Sequence, residues 1–386
     1  MNILKIHFDP PNKNYGTGRF IKEFSEKLIK LNYRVTNICC YRYQYEKFNN
    51  CKVILCNKLI KKRYPFITFI YELIYLEIYC LIYFIKNKNK IDLIISYGDC
   101  GILVSFFSKL FKKPNVKYLF ILYKDLVNAK IKEIKKYRIK NENCKIFILR
   151  LLSFLEDNLR ILLEKFILLT ETNFITASKI TKKHLKKKNV LINYYYHPFN
   201  NLTYVNKKKR NKLKKILLIG NDIYSKGIVK FLEVISLDKK FYKENTKIFV
   251  VGISNIKTFE KYVIIFGLSG MINYYGHEKN INKFYKNVDI FINLSLIEGW
   301  GISLVDAYLK KIQIISTKVG AVREIFVNDK NVITCEKNNI NDIDKKIKNL
   351  IINNQPFNNN LYKKVSRLLD HSKIDNRYIN FINKLL

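Results

Sequence analysis

The sequence predicts an α/β chain folded as two doubly wound domains, each built on a parallel sheet. Three observations predict this. Its 386 residues, 48% of them hydrophobic, exceed what one core usually organises and are too apolar for a disordered chain. Short β-branched runs alternate with longer helical periods, the signature of βα units around a parallel sheet. One polar, basic stretch from Asn200 to Lys215 carries no apolar period and interrupts the alternation once, as a surface linker does. The expected division is therefore 1–200, 201–370, and a terminal helix at 371–386 packing back on the first domain.

In the first half the strand candidates are Asn2–Phe8, Arg34–Cys39, Lys52–Cys56, Leu93–Ser96, Lys117–Leu122 and Asn173–Ala177. The opening Met1-Asn2-Ile3-Leu4-Lys5-Ile6 lacks the charged-then-apolar build of a signal peptide and reads as the first strand entered directly. Helical periods cover Phe20–Leu31, Cys100–Phe111 and Phe154–Leu169. Tyr64 to Ile85 is almost wholly apolar and long enough to span a bilayer. Glu72 and Glu77 lie inside it, however, and a charge near the bilayer centre costs roughly 2.5–3.5 kcal/mol. A buried or interfacial helix is the expectation, and Lys61-Lys62-Arg63 and Lys86-Asn87-Lys88 at its two ends suit an acidic membrane surface.

The second alternation runs through strands at Ile216–Ile219, Lys247–Val251, Ile272–Tyr275, Val288–Asn293 and Gln313–Ser316. Helices are expected at Ile228–Leu237, Ile281–Lys286, Ile302–Lys310 and Asp342–Ile352.

Charge is lopsided: 71 basic against 31 acidic residues give +40. Only 11 of the 71 are Arg, so the excess is almost all Lys. Such a surface attracts anions, whether phosphorylated ligands, acidic lipid faces or nucleic acid. The lysines are dispersed, and no helix-turn-helix, zinc finger or aromatic ribonucleoprotein stretch accompanies them, which argues against nucleic acid. Eight cysteines form no C-x-x-C pair and no Cys/His metal spacing; most lie in apolar runs and read as small core residues of a reducing compartment.

The strongest motif is Ser295-Leu296-Ile297-Glu298-Gly299-Trp300-Gly301-Ile302-Ser303-Leu304-Val305-Asp306. A strand ends, a Gly-flanked turn follows, and a helix begins near Ile302. Ligands of open parallel sheets bind outside the carboxyl ends of the strands. Glycines there let backbone approach a ligand, and the helix start offers N–H groups and positive dipole to a diphosphate. Glu298 could accept from sugar hydroxyls and Asp306 from another hydroxyl pair.

Glu298-Gly-Trp-Gly-Ile-Ser-Leu-Val-Asp306 resembles the E-G-[FW]-G-x-x-x-x-E signature of retaining GT-B glycosyltransferases, family 4, with Asp306 where the family has Glu. Gly220-Asn221-Asp222-Ile223-Tyr224-Ser225-Lys226-Gly227 resembles the family's G-x-x-x-x-x-K-G loop, whose Lys holds the donor diphosphate; the Arg many members carry in this loop is missing. The same stretch is similar to the G-x-D-F-x-x-K-G loop of lipopolysaccharide core glucosyltransferases. Tyr275-Gly276-His277, the Asn287–Asn293 run and Ser316–Ile325 resemble further family segments, with Ala321 replacing one family Gly. Asn14-Tyr15-Gly16-Thr17-Gly18-Arg19 resembles the Gly-rich loop where acceptor and donor phosphate meet.

The resemblance implies a GT-B fold, two Rossmann-like domains with parallel sheets facing a central cleft: an acceptor-side domain at 1–200 and a nucleotide-sugar domain at 201–370. It assigns Lys226, Arg19 and the helix start at Gly301–Ile302 to the leaving diphosphate. Glu298 would orient the sugar, with Gly16, Gly18, Gly220, Gly299, Trp300 and Asp306 also at the donor. The family His near the reacting centre has no counterpart in Ile121-Leu122-Tyr123-Lys124-Asp125; Asp99 of Ser96-Tyr97-Gly98-Asp99-Cys100 is the candidate polar group, with Asp125 as alternative. Both also read as helix caps or strand-end turns. Asp342-Ile343-Asp344 has D-x-D metal spacing but sits at a helix start, where acids are favourable in their own right. His184, His197 and His371 have no partners at ligand spacing.

The expected function is metal-independent, cofactor-free, retaining hexosyl transfer from a UDP- or GDP-sugar. The expected acceptor is lipid-linked, or surface polysaccharide or lipopolysaccharide, with the enzyme cytoplasmic and peripheral on the inner membrane face. A non-catalytic GT-B partner of a glycosyltransferase complex is the second reading, prompted by Asp306, the missing Arg and the missing His.

Overall fold

The computed structural model describes residues 1–11, 16–40, 51–56, 65–119, 122–137, 144–185, 188–192, 213–278, 280–286, 288–353, 357–368, 377 and 379–386. The basic triplet at 61–63, Tyr15, most of the linker expected at 200–215, His197 and His371 lie outside them. The chain divides into two compact units, each on its own parallel sheet. The first comprises Met1–Lys124, Ile139–Asn193 and Ile374–Leu386; the second comprises Asp125–Arg138 and Tyr194–Lys373.

The first unit runs β1 (Asn2–His7), α1 (Gly16–Lys30), β2 (Arg34–Cys39), β3 (Cys51–Leu55), α2 (Pro65–Asn87), β4 (Leu93–Tyr97), α3 (Ile102–Leu110) and β5 (Asn115–Leu119). After α4 (Tyr123–Lys136) it continues through α5 (Cys144–Thr170), β6 (Asn173–Thr176), α6 (Lys179–His184) and β7 (Asn189–Ile192). Its seven strands lie in the order β3-β2-β1-β4-β5-β6-β7. Every paired neighbour is parallel, with Ile3 in register against Val35 on one side and Leu93 on the other. Alternation along β1 divides the core. Leu4, Ile6 and Phe8 face a layer made by α2, α3 and α5, where Phe69, Leu76, Phe84 and Val104 are buried and Leu159 and Leu163 pack.

The other face of β1 is polar and equally buried. Lys5 donates to the Ile21 carbonyl (3.0 Å) and Ser25 Oγ (2.8 Å) of α1, with its ammonium 4.5 Å from the Phe24 ring. His7 Nδ1 donates to the Asp9 carbonyl, and its Nε2 lies 2.9 Å from the Asn37 side chain.

Sequence and structure differ at element ends. β5 starts two residues earlier than expected because Asn115, polar but buried, is satisfied by the Ser105 carbonyl (3.3 Å) and Ser108 Oγ (2.7 Å). α5 begins ten residues before the expected Phe154. The apolar segment expected over 64–85 is α2. It is long and apolar enough to cross a membrane, yet Glu72 and Glu77 are buried in the unit. Glu77 accepts from the N–H groups of Ile102 (3.0 Å) and Leu103 (2.9 Å), capping α3. Burial pushes its carboxyl pKa up against the pull of those bonds.

The second unit runs β8 (Lys214–Ile219), α7 (Ile228–Ser236), α8 (Lys239–Asn245), β9 (Thr246–Val251), α9 (Ile256–Ile265), β10 (Ile272–Tyr275), α10 (Asn282–Tyr285) and β11 (Ile290–Asn293). It ends with α11 (Ile302–Leu309), β12 (Gln313–Thr317), α12 (Ala321–Glu324), β13 (Val332–Cys335), α13 (Ile340–Asn353) and α14 (Asn359–Leu368). Its strand order is β10-β9-β8-β11-β12-β13, again parallel throughout. Residues 125–138 depart from a single cut near 200. α4 begins under the Glu164 carboxylate of the first unit, which accepts from the Tyr123 N–H. Within the second unit its Glu133 then sits 3.1 Å from Lys230 of α7, both buried.

Burial, with the Lys5 ammonium adding to it, lowers the pKa of His7 from 6.5 to about 4. Between those values the unfolded chain binds a proton that the folded chain refuses. Stability should therefore fall by up to about 3 kcal/mol as pH drops through that window. His7→Gln should lose that part of the slope; urea unfolding from pH 7 to 4.5 checks it, and equal slopes for the two proteins contradict it.

Candidate active site

The site is built at the carboxyl ends of β8, β11 and β12, in the second unit. The loop after β8 is folded by its own sequence. Asp222 Oδ1 accepts from the N–H groups of Tyr224 (3.1 Å) and Ser225 (2.6 Å), an Asx-type turn. The Lys226 N–H then closes on the Asp222 carbonyl (3.1 Å). Gly220 is needed because a Cβ there would lie 2.7 Å from Lys226 Cγ, so the Lys stem could not lie back across the loop. Gly227 opens α7 at φ 65° and presses against the next strand: a Cβ would sit 2.2 Å from the Leu294 carbonyl oxygen. The Leu296 N–H donates to the Ser225 carbonyl (2.8 Å). These contacts clasp the 220–227 loop to the 294–301 loop.

Across that clasp the Lys226 ammonium lies 2.6 Å from Glu298 Oε1. Ser295 Oγ is 2.9 Å from the same oxygen and 2.7 Å from Asn293 Oδ1. Thr317 Oγ1 of β12 donates to the Ser295 carbonyl (2.6 Å). The Lys337 ammonium, just past β13, donates to the Leu296 carbonyl. Burial, then the nearby charges of Arg323 and Lys230, lower the pKa of Lys337. Lys226 from the loop after β8, Thr317 of β12 and Lys337 past β13 thus converge on the Glu298 loop.

Gly301 caps α11, and Ile302 and Ser303 form its first turn. The first N–H groups of a helix have no acceptor within it, so this end is electropositive. Trp300, beside Gly299, is buried and contributes through its backbone: its carbonyl accepts from the Ala321 N–H (2.8 Å), joining the β12–α12 turn to the site. Asp306 is 6% exposed, on the buried side of α11.

The structure therefore brings together Lys226, Glu298, Gly220, Gly299, Gly301 and Ile302, with Trp300 and Asp306 packed behind. Of the other candidates, Gly16, Gly18, Arg19 and Asp99 lie in the first unit and Asp125 in the second. Gly16 opens α1 and Gly18 is buried in its first turn. Arg19 Nε is 3.2 Å from Glu23 Oε1 on the same helix. Asp99 is engaged by the Arg160 guanidinium of α5, which also packs 3.7 Å over the Phe69 ring. Asp125 is an acid in the first turn of α4. Asp342 and Asp344 are structural: they pair with Lys346 (2.8 Å) and Lys348 (3.1 Å). Among the described residues no cluster of three His, Cys, Asp or Glu could hold a metal. Sequence reasoning missed the role of Ser295 as a partner of Glu298, though it stood in the motif, and missed Lys337 altogether.

Residues 203–367 match the family profile described as glycosyl transferases group 1. The chain has the GT-B fold, two Rossmann-like parallel-sheet domains, and it is similar to solved structures at low identity. Sucrose-phosphate synthase from Thermosynechococcus elongatus aligns with a TM-score of 0.76 at 14% identity, over 100% of this chain and 98% of that one. Anabaena Alr3699/HepE in complex with UDP-glucose aligns with 0.69 at 12%, over 100% of both. WaaG, a glycosyltransferase involved in lipopolysaccharide biosynthesis, aligns with 0.62 at 11%, over 96% and 94%. No curated protein sequence matches the chain. The Lys226 and Glu298 loops both fall inside the matched residues.

Gly227→Ala tests the clasp. A Cβ against the Leu294 carbonyl, on left-handed backbone, should cost about 2–3 kcal/mol. Urea unfolding reads it; an unchanged midpoint would show that the two loops are not held this way.

Proposed function

We propose that this chain is a retaining hexosyltransferase that uses a nucleotide-diphosphate sugar, UDP- or GDP-linked, without a metal. The observation that carries the reading is the Lys226 ammonium held 2.6 Å from Glu298 beside the start of α11. Cleavage of the sugar C1–O bond to phosphate builds negative charge on the departing diphosphate. Lys226 and the α11 N-terminus supply positive charge there, in place before the bond breaks. Lys337 adds to the field from behind the Glu298 loop. The Glu298 carboxylate, fixed by Ser295 and Lys226, accepts hydrogen bonds from sugar hydroxyls and sets the orientation of C1.

In the retaining route the acceptor hydroxyl attacks C1 on the face the diphosphate leaves. The new C1–O bond forms as the old one breaks, and the hydroxyl proton passes to a departing phosphate oxygen. No protein nucleophile is required. The UDP-glucose complex of Anabaena HepE and the lipopolysaccharide role in WaaG's description support a nucleotide-sugar donor and a glycan acceptor for proteins of this fold. We assign the acceptor to the lipid-linked or surface-polysaccharide class, the first unit to the acceptor side, and the enzyme to the cytoplasmic membrane face.

Lys226→Ala should lower kcat/KM by about 10²–10³-fold and abolish the thermal shift given by UDP or GDP, while circular dichroism stays unchanged. Near-normal turnover overturns the assignment. Transfer should persist in EDTA; its loss there, with restoration by a divalent ion, would refute metal independence.

The burial of Asp306 favours one second reading, a non-catalytic partner that keeps the fold. Neither transfer nor donor hydrolysis by purified protein, despite a nucleotide thermal shift, would decide for it.

A further inference from the structure

α2 has two apolar sides. One is core. The other is a stripe of Ile67, Ile74, Ile78, Ile82 and Ile85, flanked by Tyr71 and Tyr75, all exposed. No Lys or Arg occurs between residues 65 and 85 in a chain with 71 basic residues, so this outward face excludes the commonest surface side chain of the protein. α3 lies beside α2 and runs the same way, since Glu77 meets Ile102 while the Phe84 and Phe111 rings lie 5.9 Å apart. Its outward stripe is also apolar: Leu103, Phe106 and Leu110 are exposed. Both helices cover the same face of the first sheet. A continuous apolar face of this extent marks an interaction surface.

Cations gather where the two helices end. Lys86, Lys90, Lys109 and Lys112 are exposed, and the Lys88 ammonium lies 4.0 Å over the Phe111 ring. An apolar stripe edged by lysine is complementary to an anionic bilayer, with side chains in the acyl boundary and ammonium groups at the phosphates. Two copies of this chain would bring their lysine edges together, each copy carrying +40. A membrane span is opposed by Glu77, whose carboxylate caps α3, and by Glu72, buried in the unit; extracting α2 would break that cap.

We propose that the outward face of α2 and α3 seats this protein on an anionic membrane surface, with α2 lying in the interface rather than crossing it. This deepens the membrane-face placement proposed above and rests on it, but not on sugar transfer, so loss of vesicle binding and loss of transfer are distinguishable outcomes.

The test is co-sedimentation of the full chain with phosphatidylcholine vesicles, with and without phosphatidylglycerol. Binding should require the anionic lipid and weaken in high salt. Ile74→Asp with Ile78→Asp should lower the bound fraction about tenfold, and Lys86→Glu with Lys90→Glu and Lys112→Glu should do the same without touching the apolar stripe. Ile78→Trp should blue-shift its added emission on anionic vesicles, which keeps the proposal testable if the double aspartate variant misfolds. Equal binding by the charge-reversed protein overturns it, as does an added indole emission that vesicles do not move. Resistance of bound protein to alkaline carbonate would show a span and overturn the interfacial placement. A wild-type dimer that the aspartate pair converts to monomer would assign the face to a second copy instead.

Discussion

The site depends on one close approach of backbone to backbone. Gly227 leaves the 220–227 loop in a left-handed conformation directly over the Leu294 carbonyl, where no side chain fits. That approach, with the Leu296 N–H on the Ser225 carbonyl, fixes the distance between two strand ends before any charge is considered. Lys226 and Glu298 can then form a 2.6 Å pair although 72 residues separate them. Such a partly exposed ion pair contributes little to stability by itself. Its value is positional: the loops hold the charges, rather than the charges holding the loops.

The first unit uses charge differently. Lys5 and Lys117 are almost completely buried on central strands. Taking an ammonium out of water is costly, and burial holds the Lys5 pKa well below its usual range. What offsets the cost is local. Lys5 reaches the Ile21 carbonyl and Ser25 Oγ on α1, and Lys117 reaches the Cys100 carbonyl and Ser96 Oγ (3.2 Å) ahead of α3. Each lysine satisfies acceptors that a hydrophobic residue would strand; Lys5 ties α1 back to the strand before it, and Lys117 ties the turn after β4 to the neighbouring β5. His7 and Asn37 extend the same buried polar layer, and its behaviour in acid follows from the cost of protonating His7 there.

Much of this is legible in the sequence, for physical reasons. β2, inside the first sheet, and β10, at the edge of the second, match the expected bounds residue for residue. The Gly-Trp-Gly turn and Lys226-Gly227 are legible because close backbone approach restricts residue type. β7 and β13 are not legible: each has four residues, too few for a period. Nor are partners distant in the chain. Asp99 reads in the sequence as a candidate polar group or a strand-end turn, and its partner Arg160, 61 residues on, cannot be seen from there. Lys337 follows β13, which the sequence hides, and shows no motif of its own; only the fold carries its ammonium to the Leu296 carbonyl. A cut near residue 200 misses α4, whose Glu133 belongs with Lys230.

Glu77 shows how one side chain can decide between two fates of an apolar helix. By hydropathy alone α2 could leave water for a bilayer. A carboxylate opposes that placement, yet its burial in protein is costly as well. The resolution lies in what the carboxylate does there. The first N–H groups of α3 lack acceptors of their own, and Glu77 supplies two at 3.0 and 2.9 Å. Donor and acceptor each relieve the other's burial, so the helix is anchored by the residue whose charge suits it least. Once that side is fixed, the opposite side must face outward. Its isoleucines are then exposed because of where Glu77 points.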